Sequence, residues 1–268
     1  LDEASSVAHK ALAGALWLLD WDVAGAEREL ERSVTLNPND VDALIHRGIF
    51  RAVARRDRHG AEDDALQALK IDPLGVYTLT WATWIFVFVR QFDKAAELAN
   101  RALGLFPDSV QPLWALGVVH QAQGRPSEAR EAWESAVRMS NDLLPRAGVA
   151  AAAASLGDRG PAADVRDAII AERRAGRRLS LTRPLVTLLA ALGDMDAAYA
   201  ELDAALGARD PVMFFIPITA IFDPLRSDPR FPALMRRFRH ALRRAAAGAA
   251  RPVPDQGFPV TWSSRSCP

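Results

Sequence analysis

Ala supplies about one residue in five, Leu is abundant, and alternating β-branched runs are scarce, so the hydrophobic pattern predicts helices rather than strands. Proline closes successive helical stretches at Pro38, Pro73 and Pro107, which lie 35 and 34 residues apart. A further 34 residues reach Asn141, in the equivalent turn of "VRMSNDLLP". An alanine stands twelve residues before each turn, at Ala26, Ala61, Ala95 and Ala129, and a small residue follows seven later, at Ser33, Ala68, Ala102 and Ala136. A seven-residue step keeps both members of a pair on one helix face, where small side chains let two helices approach closely. Ala198 and Ala205 repeat the device, and the segment around Ala162 repeats it loosely, giving about six helix pairs in an all-α chain.

The clearest single unit is Leu113 to Asn141, with Leu116-Gly117 in its first helix, Gly124 in the turn, and Ala129, Trp133 and Ala136 in its second. Gly14, Trp17, Ala26, Leu30 and Pro38 fall similarly in the first unit, while the second carries an extra residue near "ARRDRHG". At these residues, over roughly positions 7 to 207, the chain resembles the tetratricopeptide repeat family, whose unit of about 34 residues is a helix–turn–helix. The fifth unit is Ala-rich with weak signature residues, and the register is loosest between Leu143 and Arg178. The resemblance implies a right-handed α-solenoid that binds protein segments in a concave groove. More narrowly, "DWDVAGAERELERSVTLNPND" and "FDPLRSDPRFPALMRRF" resemble the repeat tails of bacterial signalling chains that carry an output domain upstream.

The expected division is 1–207 as the repeat superhelix, 208–247 as a proline-interrupted cap, and 248–268 as a disordered tail with too little apolar periodicity to pack. A final helix is predicted from Pro232 to about Ala247. The opening Leu1 suggests a piece of a longer chain.

Of 268 residues, 33 are Lys or Arg and 33 are Asp or Glu, so there is no overall basic excess for wrapping nucleic acid. The single Cys267 excludes a disulfide framework and a cysteine zinc site. His9, His46, His59, His120 and His240 are scattered, and the glycine-rich nucleotide motifs and the hydrolase elbow are missing. No metal, no cofactor and no enzymatic activity are therefore expected. Carboxylate pairs such as Asp63-Asp64 and Glu128-Glu131 read as solvated helix faces beside arginines. The longest apolar stretch, Val76 to Val89, is too short to span a bilayer, and the chain lacks a secretory leader, so a cytoplasmic location is expected.

The most informative stretch is "GVYTLTWATWIFVFVR". Tyr77, Trp81, Trp84 and Phe88 follow at steps of four, three and four and share a helix face, while Leu79, Phe86 and Val87 cover much of the rest. A helix apolar all round must meet something on two faces. Aligned by the repeat, His46 and Trp114 turn toward the same side, so His46, Tyr77, Trp81, Trp84, Phe88 and Trp114 form a candidate peptide-binding groove. Alternatively, the aromatics fill the space between layers or meet the C-terminal segment folded back. With only three lysines, the chain lacks the lysine and asparagine clamp that some family members use for a terminal carboxylate, so the expected partner is a protein or peptide with apolar anchors. The arginines of "PALMRRFRHALRRAAAG" read as a solvated cap, and no direct nucleic-acid binding is expected. The function read from the sequence is a non-enzymatic interaction scaffold, a docking or sensory module. The alternative is the sensor portion of a transcription regulator whose DNA-binding domain lies upstream.

Overall fold

A computed structural model describes residues 5–140, 142–175 and 181–249. The boundary expected at Asn141 and the tail expected from 248, save the end of the last helix, lie outside them. Among the described residues there is no strand, and six antiparallel helix pairs follow one another. They are α1 (Ser6–Ala15) with α2 (Val23–Leu36), α3 (Val41–Phe50) with α4 (Arg58–Ile71), and α5 (Val76–Phe88) with α6 (Phe92–Leu105). Then come α7 (Val110–Ala122) with α8 (Pro126–Met139), α9 (Leu143–Ser155) with α10 (Gly160–Arg174), and α11 (Thr182–Leu192) with α12 (Met195–Gly207). Each first helix packs on its partner and beside the first helix of the next unit.

The small-residue pattern is the seam of the stack. Ala26, Ser33, Ala61, Ala68, Ala95, Ala102, Ala129 and Ala136 are all fully buried. Replacing Ala129 with Leu is expected to destabilise the chain by ~1–3 kcal/mol through overpacking, read from a urea denaturation curve. A neutral result would mean that the seam tolerates larger residues. Glycine serves the same close approach in the fourth unit, where a Cβ on Gly117 would lie 2.0 Å from the Trp133 indole.

Each first helix ends in one left-handed residue: Trp21, Arg56, Arg90, Gly124, Gly157 and Gly193. From N-cap to that residue the chain advances 16 positions in the first two units (Ser5 to Trp21, Asp40 to Arg56) and 15 in the next three (Gly75 to Arg90, Ser109 to Gly124, Asp142 to Gly157). The additional residue is absorbed by a π-helical turn, Leu16–Asp20 in one case and Arg51–Arg55 in the other, which widens the helix without shifting the turn. That is how the irregularity near "ARRDRHG" is accommodated.

After Gly207 the prolines break the chain into α13 (Val212–Phe215), a 3₁₀ turn (Ala220–Phe222) and α14 (Asp223–Arg226), before the long α15 (Phe231–Ala249). This segment folds back across the array. Phe214 meets Trp17 and Trp21 of the first unit, each at 5.7 Å, and Phe215 meets Phe88 at 5.7 Å. The 3₁₀ turn packs on α7 and α11, and α15 reaches α2. The last helix therefore touches the first repeat unit, and Trp21 stacks edge-on against Phe238 at 5.1 Å.

Three of the six left-handed turn residues carry side chains, at some conformational cost relative to glycine, and each of these side chains faces the returning segment. Trp21 packs on Phe214 and Phe238. Arg90 grips Asp223 through two hydrogen bonds of 3.1 and 2.9 Å. Arg56 lies close enough to Arg239 for that charge, after burial, to lower its pKa. At Gly124, Gly157 and Gly193 an added Cβ would meet nothing within 4 Å, so no contact is forgone there.

Candidate functional site

The candidate groove residues separate into two sets. Trp84, Phe88 and Trp114 are interior, with 3, 7 and 3% of their surfaces exposed. Trp84 stacks on Phe88 at 5.7 Å, and the Arg183 guanidinium from α11 lies 5.8 Å from the Trp84 ring and 5.7 Å from the Phe215 ring. Burial pushes the pKa of Arg183 down to about 10. Phe215, carried in by the C-terminal segment, covers the part of the wall where an external apolar anchor was expected. Trp114 lies against Trp133 at 5.3 Å, and its carbonyl accepts a 3.2 Å hydrogen bond from Trp133 Nε1. Trp84 and Phe88 are therefore packed within the chain, whereas Trp114, though mostly buried against Trp133, also contributes to the lining of a recess.

His46, Tyr77 and Trp81 remain accessible, Tyr77 being 38% exposed and the other two half-buried. The Tyr77 hydroxyl donates to Asp42, whose carboxylate also takes Lys10 and lies 3.0 Å from His46 Nδ1. Burial first, and Asp40 next, push the Tyr77 phenol up to about 12. Burial and the Lys10 charge lower the His46 pKa. The sequence pattern contained Asp42 and Lys10 but gave no sign that three helices would join them. They form a polar, mutually satisfied patch rather than an apolar anchor site.

Further along the wall is a recess of about 520 Å³ between α7, α9 and α11. Trp114, Leu144, Pro145, Leu181 and Pro184 contribute apolar groups to its lining, and Gln111, Asp142, Arg146 and Glu172 polar ones. Its size lies within the range of ligand pockets. Only Trp114 of the expected groove residues reaches it. Leu144 and Pro145 belong to the stretch of loosest register, while Leu181 directly precedes α11 and Pro184 lies in its first turn, so sequence periodicity did not single them out.

The carboxylate pair Asp63-Asp64 is not uniformly solvated as expected. Asp63 is exposed, but Asp64 is buried, bonding Arg47 at 2.7 Å and Arg51 at 2.9 Å, while Glu31 takes both arginines at 2.8 Å. Burial opposes charge on Arg47, but the hydrogen bonds and charges of Asp64 and Glu31 outweigh it and raise its pKa. This network ties α2, α3 and α4 together and has its acceptors occupied, so it is a structural clamp. Among the described residues, no group of three or more His, Cys, Asp or Glu side chains is placed to hold a metal. No helix among them is long and apolar enough to cross a membrane.

These helix pairs, their small-residue seam and their regular turns define a tetratricopeptide repeat fold. Solved structures share it. A tetratricopeptide protein of Thermus thermophilus, TTC0263, superposes with a TM-score of 0.57 at 17% identity, over 69% of this chain and 99% of its own. The pilF protein of Pseudomonas aeruginosa superposes with a TM-score of 0.52 at 16% identity, over 84% of this chain and 98% of its own. At these identities the likeness is one of fold. No family model matches the sequence, and no curated protein matches it.

Proposed function

We propose that the chain is a non-enzymatic protein-interaction scaffold that takes an apolar side chain of a partner peptide into the recess between α7, α9 and α11. The observation that carries this reading is the recess itself, to whose lining Trp114, Leu144, Pro145, Leu181 and Pro184 contribute apolar groups, away from the place where Phe215 packs on Phe88. Three successive repeats contribute to it, so a peptide crossing them meets one continuous surface with hydrogen-bonding groups in its lining. A docking or sensory role within a bacterial signalling chain is consistent with such a surface.

Peptides displayed on phage and selected against the full chain are expected to converge on sequences with a Leu, Phe or Trp anchor. Leu144→Arg should weaken the selected peptide by ~2 kcal/mol or more, about thirtyfold, while the thermal melt stays close to that of the parent. Selection without an apolar consensus, or binding indifferent to Leu144→Arg, would exclude this recess as the docking site.

A further inference from the structure

A second recess, of about 570 Å³, lies at the far end of the array between the C-terminal end of α12 and the outer side of α15. Leu206, Gly207 and Ala241 contribute to its walls, and among the described residues the rest of its lining is Arg209, Arg236, Arg237, His240 and Arg244, with no acidic side chain. The chain as a whole is neutral, yet α15 carries five arginines and one histidine without a single acid. Arg237 has structural work, bonding Asp203 at 2.6 Å, as Arg230 bonds Asp196 at 2.6 Å one heptad earlier; together they fasten α15 to α12. Among the described residues, Arg209, Arg236 and Arg244 have no carboxylate within ion-pair distance, although they line the same recess.

Arg209 strengthens the pattern. Its φ is 54°, the left-handed conformation that glycine adopts freely and that the array gives to glycine in three of its turns. The other three side-chain-bearing residues in this conformation all reach the C-terminal segment, and Arg209 does the same by lining the recess with α15. The partial negative charge at the end of α12 helps to hold such cations together before any ligand arrives.

We infer that this recess is an anion site for a small polyphosphate-bearing molecule, gripped by Arg209, Arg236 and Arg244. Arg209, Arg236 and Arg244 bring guanidiniums from two elements to the lining of one recess, and their charge and planar hydrogen-bonding geometry suit a short phosphate chain. A membrane surface fits less well, because Leu234, Met235 and Phe238, the apolar side of α15, are buried against the array and cannot enter a bilayer. A nucleic-acid strand fits less well too, since the cluster is confined to one recess and carries no interleaved aromatic platform.

The test uses the full chain and inorganic tripolyphosphate in isothermal titration calorimetry at low salt. Saturable one-to-one binding is expected. Arg209→Gly and Arg236→Gln should each weaken it about tenfold or more, whereas Arg101→Gln on the distant α6 should leave it unchanged. Arg209→Gly keeps a residue at ease with the left-handed turn, so its melting temperature should stay within a few degrees of the parent, separating ligand loss from misfolding. Absence of tripolyphosphate binding would overturn the proposal. So would equal weakening by Arg101→Gln, which would indicate diffuse charge. Binding to vesicles of 30% phosphatidylglycerol in phosphatidylcholine without tripolyphosphate binding would replace it with a membrane contact.

Discussion

Replacing Trp84 with alanine is expected to lower the unfolding free energy of the full chain by ~3–5 kcal/mol. The indole lies on a helix buried on nearly every side from Thr78 to Val89, so its removal leaves a cavity that neither α5 nor its neighbours can close. It also removes one of the two rings beneath Arg183. Among the described residues that guanidinium meets ring faces and no carboxylate, so the loss leaves its charge with less compensation. Urea denaturation followed by circular dichroism gives the number. A change below ~1 kcal/mol accompanied by loss of peptide binding would instead restore Trp84 as an anchor for a partner.

That experiment falls on the point where sequence and structure part. The seam was legible because it is local: Ala129 and Ala136 are seven residues apart, and their burial follows from helix geometry alone. The helix-pair pattern survived where the marker residues faded, although the step between turns slips from 34 residues to 33 at Gly157 and 36 at Gly193. The need for two covered faces on α5 was legible too. The folded-back C-terminal segment was one alternative for covering the second face, but the pattern could not select it or point to Phe215, because Phe215 lies 127 positions beyond Phe88 and periodicity carries no information over that distance. A partial signal was present in "VMFFIPITAIF", whose apolar density is too high for an exposed connection. The side-chain-bearing turn residues Trp21, Arg56 and Arg90 were a second, silent signal, since their left-handed backbone is visible only in three dimensions. The recess escaped notice for a related reason, its lining being drawn from three repeats, with Leu144 and Pro145 in the stretch where the register loosens and Leu181 and Pro184 beyond it.

The return of the C-terminal segment also changes how the array should unfold, and Phe214 is the residue on which this turns. An open repeat array is held by contacts between neighbours, so its end units fray independently of the middle. Here Phe214 is 2% exposed and sits among Trp17, Trp21 and Phe238, joining the first unit to the last helix across nearly two hundred positions. Phe214→Ala is expected to cost ~3–5 kcal/mol in global stability, the range for a fully buried phenylalanine. The more telling readout is hydrogen exchange. In the parent, amides of α1, α2 and α15 should open together with a common free energy, because none can leave without stripping the aromatic joint. In Phe214→Ala all three should lose protection together, while α7 and α8 keep most of theirs. Retained protection in α1 and α2 with loss confined to α13–α15 would show the segment to be a one-sided cap. Joint loss would show that the two ends hold each other in place.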